Sequence, residues 1–144
     1  MTRGQIAIIV KGKVMTSTEF NGDMYMPTKQ WAGHGRVVIN ALKRTNDVAD
    51  YQYEVAKFNK ENHHYTDCDH LVHKQPLETL NFYKSYFENW FSDYVYIKNL
   101  TNETVQIITN QYDEDGRNDK PLPVNLEPNE IAVLCFGRLE LKTK

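Results

Sequence analysis

The sequence lacks long apolar runs. The first, Ile6 to Val10, covers five residues, against the roughly 20 that a membrane-spanning helix needs and the roughly 7–15 of a signal-peptide core. The expectation is therefore no membrane partner and a cytoplasmic location. Cysteine is scarce, with only Cys68 and Cys135. A disulfide scaffold is excluded and a reduced chain expected, with one Cys68–Cys135 bond left open. Charge of one sign is missing too: 17 basic against 19 acidic residues give a net charge of -2. Nucleic-acid binding draws on clustered Lys and Arg, so nucleic acid is not expected as a direct ligand. No repeat, low-complexity stretch or linker divides the chain, and residues 1–144 read as a single domain.

What is present is apolar patterning and aromatic side chains. Forty per cent of the residues are hydrophobic and 12% aromatic, nine of them Tyr, enough for a real core. Gln5 to Val10 is rich in β-branched residues and almost continuously apolar, as a central strand covered on both faces should be. Lys11-Gly12-Lys13 reads as a tight reversal into Val14 to Phe20, whose alternation fits a half-buried partner strand. A polar, aromatic loop runs on to His34-Gly35. Arg36 to Thr45 is helical, with Val37, Val38, Ala41, Leu42 and Thr45 on its apolar face and Arg36, Asn40, Lys43 and Arg44 opposite.

Asn46 or Asp47 caps an expected second helix through Val48, Tyr51, Val55 and Phe58. Pro76 opens an expected third, covered by Leu77, Leu80, Phe82, Tyr83, Tyr86, Phe87, Trp90 and Phe91. Asp93 to Leu100 and Thr104 to Thr109 read as a second hairpin. Gln111 to Lys120 reads as an exposed loop. Glu130 to Phe136 follows the Pro128-Asn129 turn as a further strand, which Arg138 to Lys142 continues past Gly137. The sum is an α+β class: an antiparallel sheet of N-terminal hairpin plus C-terminal strands, packed on about three helices in the order ββαααβββ.

Three groups carry candidate chemistry. Four of the five histidines fall between His63 and His73, together with Asp67, Cys68 and Asp69. These are ligand types that zinc prefers, and His64, Cys68, His70 and His73 form the candidate set, although the spacing matches no standard zinc module. Removal of Met1 would leave Thr2 as an N-terminal nucleophile whose own amine serves as base, with Asp23 and His34 as candidate partners. The loop from Phe20 to His34 is the candidate interaction surface, through Asn21, Asp23, Tyr25, Trp31, His34 and Arg36, since aromatic side chains bring large contact area at low entropic cost. Gly33 and Gly35 at a helix start could also hold an anion, aided by Arg36.

Thr2-Arg3-Gly4 before the first strand, Glu19 to Tyr25, and Gly33-His34-Gly35 opening a helix form one pattern. It resembles small uncharacterised proteins of bacteriophages and mobile elements. Those begin with a TRG-strand and carry an aromatic-Asn-x-x-Asp-x-Tyr-Pro segment before a Gly-x-Gly helix start. Phe91 to Ile97 is similar to a later aromatic strand of that family. Here the Asn21-Gly22-Asp23 spacing is shorter, Met26 precedes Pro27, and Thr28 to Ala32 intervene before the glycines. The resemblance implies a phage or mobile-element origin. With no catalytic signature, the expectation is a non-enzymatic protein that binds and modulates a host protein, a host-defence component being the expected class. The alternatives are a hydrolase, acting through Thr2 or through metal at His63–His73, and a small-ligand or nucleotide-binding module. A homodimer is among the assemblies the sequence allows.

Overall fold

The strand expected at the N-terminus is the axis of the molecule. The computed structural model describes residues 3–10, 13–16, 20–21, 25–26, 28–30, 33–44, 46, 78–80, 93–109, 122–136 and 138–144. β1 (Arg3–Val10) and β2 (Lys13–Thr16) form the expected hairpin, with Ile9 opposite Val14 and Val10 opposite Lys13. β3 (Phe20–Asn21) pairs with the start of β1, Gly4 opposite Phe20. That pairing is one residue out of step with the β1–β2 ladder, so the partner strand expected over Val14–Phe20 is two short strands.

α1 (Gly35–Arg44) is the helix read from the sequence, with Val38, Ile39, Ala41 and Leu42 buried and Arg36, Asn40, Lys43 and Arg44 exposed. Lys43 and Arg44 in its last turn complement the negative end of the helix dipole. It is not long or apolar enough to cross a membrane.

The chain then departs from expectation. β4 (Glu78–Leu80) lies inside the span read as a third helix, and it pairs antiparallel with β2, Val14 opposite Leu80. Helical propensity is a weak prior, and the free edge of β2 offers this segment a ladder of backbone hydrogen bonds that an isolated helix could not match. Residues 48–58, read as the second helix, lie outside the described residues, as do 63–74 and 111–120. Among the described residues α1 is the single helix, and the order is βββα followed by six strands. The three-helix layer and the ββαααβββ order are therefore corrected.

β5 (Tyr94–Asn99) also breaks the antiparallel expectation, because it runs parallel to β1 from Gly4↔Tyr94 to Ile9↔Asn99. Its expected hairpin partner β6 (Val105–Thr109) pairs instead with β7 (Leu122–Leu126) in a separate two-stranded sheet. β8 (Ile131–Cys135) joins the other edge of β5, and β9 (Arg138–Thr143) folds back on β8 rather than continuing it. The main sheet is mixed, in the order β4-β2-β1-β5-β8-β9, with β3 beside β1.

Both faces of this sheet are covered. Ile6, Ile8, Tyr96, Ile131 and Val133 pack against Val38, Ile39, Ala41 and Leu42 of α1. The alternate residues Ala7, Ile9, Val14, Val95, Ile97, Ala132 and Leu134 pack against Val105, Ile107 and Leu126 of the β6–β7 sheet. Three layers result, and the unbroken apolar run of β1 follows from its central position. Each fully buried Ile or Leu contributes about 1.5–3 kcal/mol of transfer free energy.

Two polar side chains tie the layers together. Lys98, almost fully buried on the α1 side, donates from Nζ to the Leu42 carbonyl and, at 3.3 Å, to Asn46 Oδ1. It thereby satisfies a carbonyl that the end of α1 leaves without a helical partner. Asn99 is fully buried at the end of β5. Its Nδ2 donates to the carbonyls of Glu103 (2.9 Å) and Leu126 (3.0 Å), and its Oδ1 accepts from the Thr101 amide (2.9 Å) and hydroxyl (2.6 Å). The β7–β8 connection is a turn with Pro128 and Asn129 at its centre. Asn129 is left-handed (φ 64), and the Glu130 amide donates to the Glu127 carbonyl at 3.0 Å, as a type II turn requires.

Candidate functional site

The Gly33-His34-Gly35 motif sits where α1 meets the segment Tyr25–Met26. The His34 carbonyl accepts from the Val38 amide at 3.2 Å and so starts the helix, and the Gly35 amide donates to the Tyr25 carbonyl at 3.1 Å. A Cβ at Gly33 would overlap the Tyr25 carbonyl oxygen, and one at Gly35 would overlap the Tyr96 hydroxyl and lie 2.6 Å from Met26 Sδ. Both glycines are thus explained by close approach of backbone and side chain. The Gly35 amide, which an anion at this helix start would use, is committed to Tyr25. His34 between them is fully buried.

Beside this helix start, β5 presents Tyr94 and Tyr96 on the α1 side, their ring centroids 6.5 Å apart and their planes 24° from parallel. Cys135, opposite Tyr94 in the β5–β8 ladder, carries a free thiol within hydrogen-bonding reach of the Tyr94 hydroxyl and the Glu140 carboxylate. Glu140 reaches it because β9 is bulged: Leu139 pairs with Leu134 and Leu141 with Val133, so Glu140 is the extra residue. Leu141 packs on the α1-side core, and the bulge lets its neighbour Glu140 act on the same face.

Burial is the first cause that holds both phenols well above the usual 10.0, and the Glu140 carboxylate adds to it. Burial likewise pushes the Cys135 thiol up. The Tyr94 hydroxyl opposes that by bonding the thiolate, while Glu140 and Asp93 reinforce it. A nucleophilic cysteine needs the reverse, a neighbouring cation or helix N-terminus that favours thiolate. The Cys135 thiol is therefore held protonated between the Tyr94 hydroxyl and the Glu140 carboxylate.

These shifts fix a pH dependence. Above pH 10.0 the unfolded chain loses tyrosine protons that folded Tyr94 and Tyr96 keep, so their stabilisation is full below 10.0 and declines as pH rises further. Burial lowers Lys98 from 10.5. It works in the opposite sense, raising stability between its folded value and 10.5, after which only the tyrosine loss remains. Alkaline unfolding is expected above pH 10.5, with the two buried phenols ionising as the circular dichroism collapses, and Tyr96→Phe should move the midpoint upward. Ionisation of all nine tyrosines before any loss of dichroism would refute this account.

Tyr25 is half-buried and Arg36 exposed; the structure brings Tyr25 to the His34 segment. Asn21 is placed only as backbone, in β3. Thr2, Asp23 and Trp31 lie outside the described residues, as do His64, Cys68, His70 and His73. Among the described residues no three His, Cys, Asp or Glu side chains converge as metal ligands would. The sequence reading missed Tyr94, Tyr96, Cys135 and Glu140. The alternation Tyr94-x-Tyr96 could have shown the tyrosine pair, but Cys135 and Glu140 join it only through strand register and the bulge.

Just beyond this cluster, at the β8–β9 turn, Phe136 is 55% exposed and Leu139 46% exposed, the large hydrophobic side chains most open to water among the described residues. Compared with protein-family models, curated proteins and solved structures, the chain finds no significant match in any of the three.

Proposed function

We propose that this chain is a phage or mobile-element protein that acts by binding and modulating a host protein, a host-defence component being the leading class. The observation that supports binding is the pair Phe136 and Leu139, which leave large apolar surface in water on one hairpin. An aromatic side chain left open to water is the kind of anchor on which binding surfaces concentrate affinity. The origin rests on the resemblance carried by Thr2-Arg3-Gly4, the Glu19–Tyr25 stretch and Gly33-His34-Gly35.

The test is affinity capture by the immobilised full chain from bacterial lysates, read by mass spectrometry and repeated with purified candidates. One bacterial protein retained in stoichiometric amount, and rebinding when purified, is the expected result. Lysates that yield no stoichiometric protein across a broad panel of hosts would remove this reading.

A further inference from the structure

Phe136 stands where the backbone disfavours it. Cys135 pairs with Arg138, so the chain reverses within two residues, and Phe136, the first of them, is left-handed at φ 49. Hairpin turns of this length take Asn, Asp or Gly at such positions, because a Cβ crowds the following carbonyl there. A bulky residue with positive φ is a true outlier, and the ring regains little by burial, since more than half of it faces water. Backbone strain and an exposed aromatic side chain thus coincide at one residue. The turn is also held in place, because the Phe136 amide donates to the Asp93 carbonyl at 3.0 Å.

Resting on the protein-binding reading above, we infer that Phe136, seconded by Leu139, is a knob that enters a preformed apolar pocket on a folded partner protein. The shape favours a pocket over an added strand. β9 is the edge of the sheet, but the Glu140 bulge interrupts it and Arg138 and Lys142 place charges along it, features that blunt strand addition. The charge favours protein over lipid, because the carboxylates of Asp93 and Glu140 act at the foot of the turn and offset Arg138, so the tip lacks the cationic excess that an anionic bilayer attracts. A rigid aromatic held on a fixed turn loses little freedom on docking, which is how anchor residues concentrate affinity.

The experiment compares Phe136→Asn with the wild-type chain. Asn-Gly is favoured in a two-residue hairpin, so the melting temperature should rise by about 3 °C, while affinity for the purified captured partner falls at least tenfold and Phe136→Trp retains binding. A lower melting temperature for Phe136→Asn would overturn the strain argument, and unchanged affinity would overturn the knob while leaving the protein-binding reading intact. Sedimentation with phosphatidylcholine–phosphatidylglycerol vesicles that depends on Phe136 would replace the pocket with a membrane. A wild-type chain that captures nothing would remove the protein-binding reading, and the knob with it.

Discussion

Gly33→Ala should cost the fold about 3 kcal/mol or more, seen as a lowered midpoint in urea. The added methyl group would occupy the space of the Tyr25 carbonyl oxygen, a backbone atom that no side-chain rotation can move away. Gly35→Ala should also destabilise, although less. Its methyl group meets the Tyr96 hydroxyl and Met26 Sδ, and alanine's better helix propensity, about 1 kcal/mol over glycine, offsets part of the clash. Asn40→Ala, on the exposed face of the same helix, is the control and should stay within about 0.5 kcal/mol. The comparison also separates two readings of the motif. If the glycines served an anion, the alanine variants would keep their midpoint and lose only a ligand-induced shift. A Gly33→Ala chain as stable as wild type would show that Tyr25 does not pack here.

Asn99→Leu should be comparably damaging, by about 3 kcal/mol. The amide meets all four of its hydrogen-bonding demands at once, and removing it takes a donor away from the buried Leu126 carbonyl. A buried polar group without a partner costs roughly 1–3 kcal/mol. The lost bonds to Thr101 and Glu103 add to that. Asn99→Asp is the sharper variant. It keeps the acceptor for Thr101 but turns a carboxylate toward two carbonyl oxygens, so its charged form is disfavoured in the fold. That stability deficit should shrink as pH falls and the carboxyl regains a proton able to donate. Denaturant midpoints across the acid range would show it, and a deficit independent of pH would refute the donor role.

Local signals were legible in the sequence wherever one element decided its own fate. α1 lies within a residue of its expected ends, because an apolar stripe and a basic face agree on one helix. The β1–β2 hairpin and β8 were legible for the same reason. What failed was pairing between distant segments. Glu78–Leu80 sits in an apolar pattern that satisfies a helix as well as a strand, and only the waiting edge of β2 decides it. β7 (LPVNL) alternates Leu122, Val124 and Leu126 as a strand does, but it is short and Pro123 weakens the signal. From the sequence β9 reads as a continuation of β8 because Phe136 does not look like a turn residue, the same anomaly that singles it out as an anchor. The Tyr94–Tyr96–Cys135–Glu140 cluster was illegible because two of its members arrive 40 residues later and meet the others only through register.

The parallel ladder between β1 and β5 has a kinetic consequence. Its partners, from Gly4↔Tyr94 to Ile9↔Asn99, are separated by most of the chain, whereas β1–β2 and β8–β9 join near neighbours. Closing so large a loop is entropically costly before any contact compensates it, and folds rich in such contacts assemble slowly. The two hairpins can form early and independently. The seam at the centre of the sheet is expected to set the folding rate, so substitutions at Ile6, Ile8, Tyr96 or Ile97 should slow refolding, followed after dilution from urea, more than those in β8–β9.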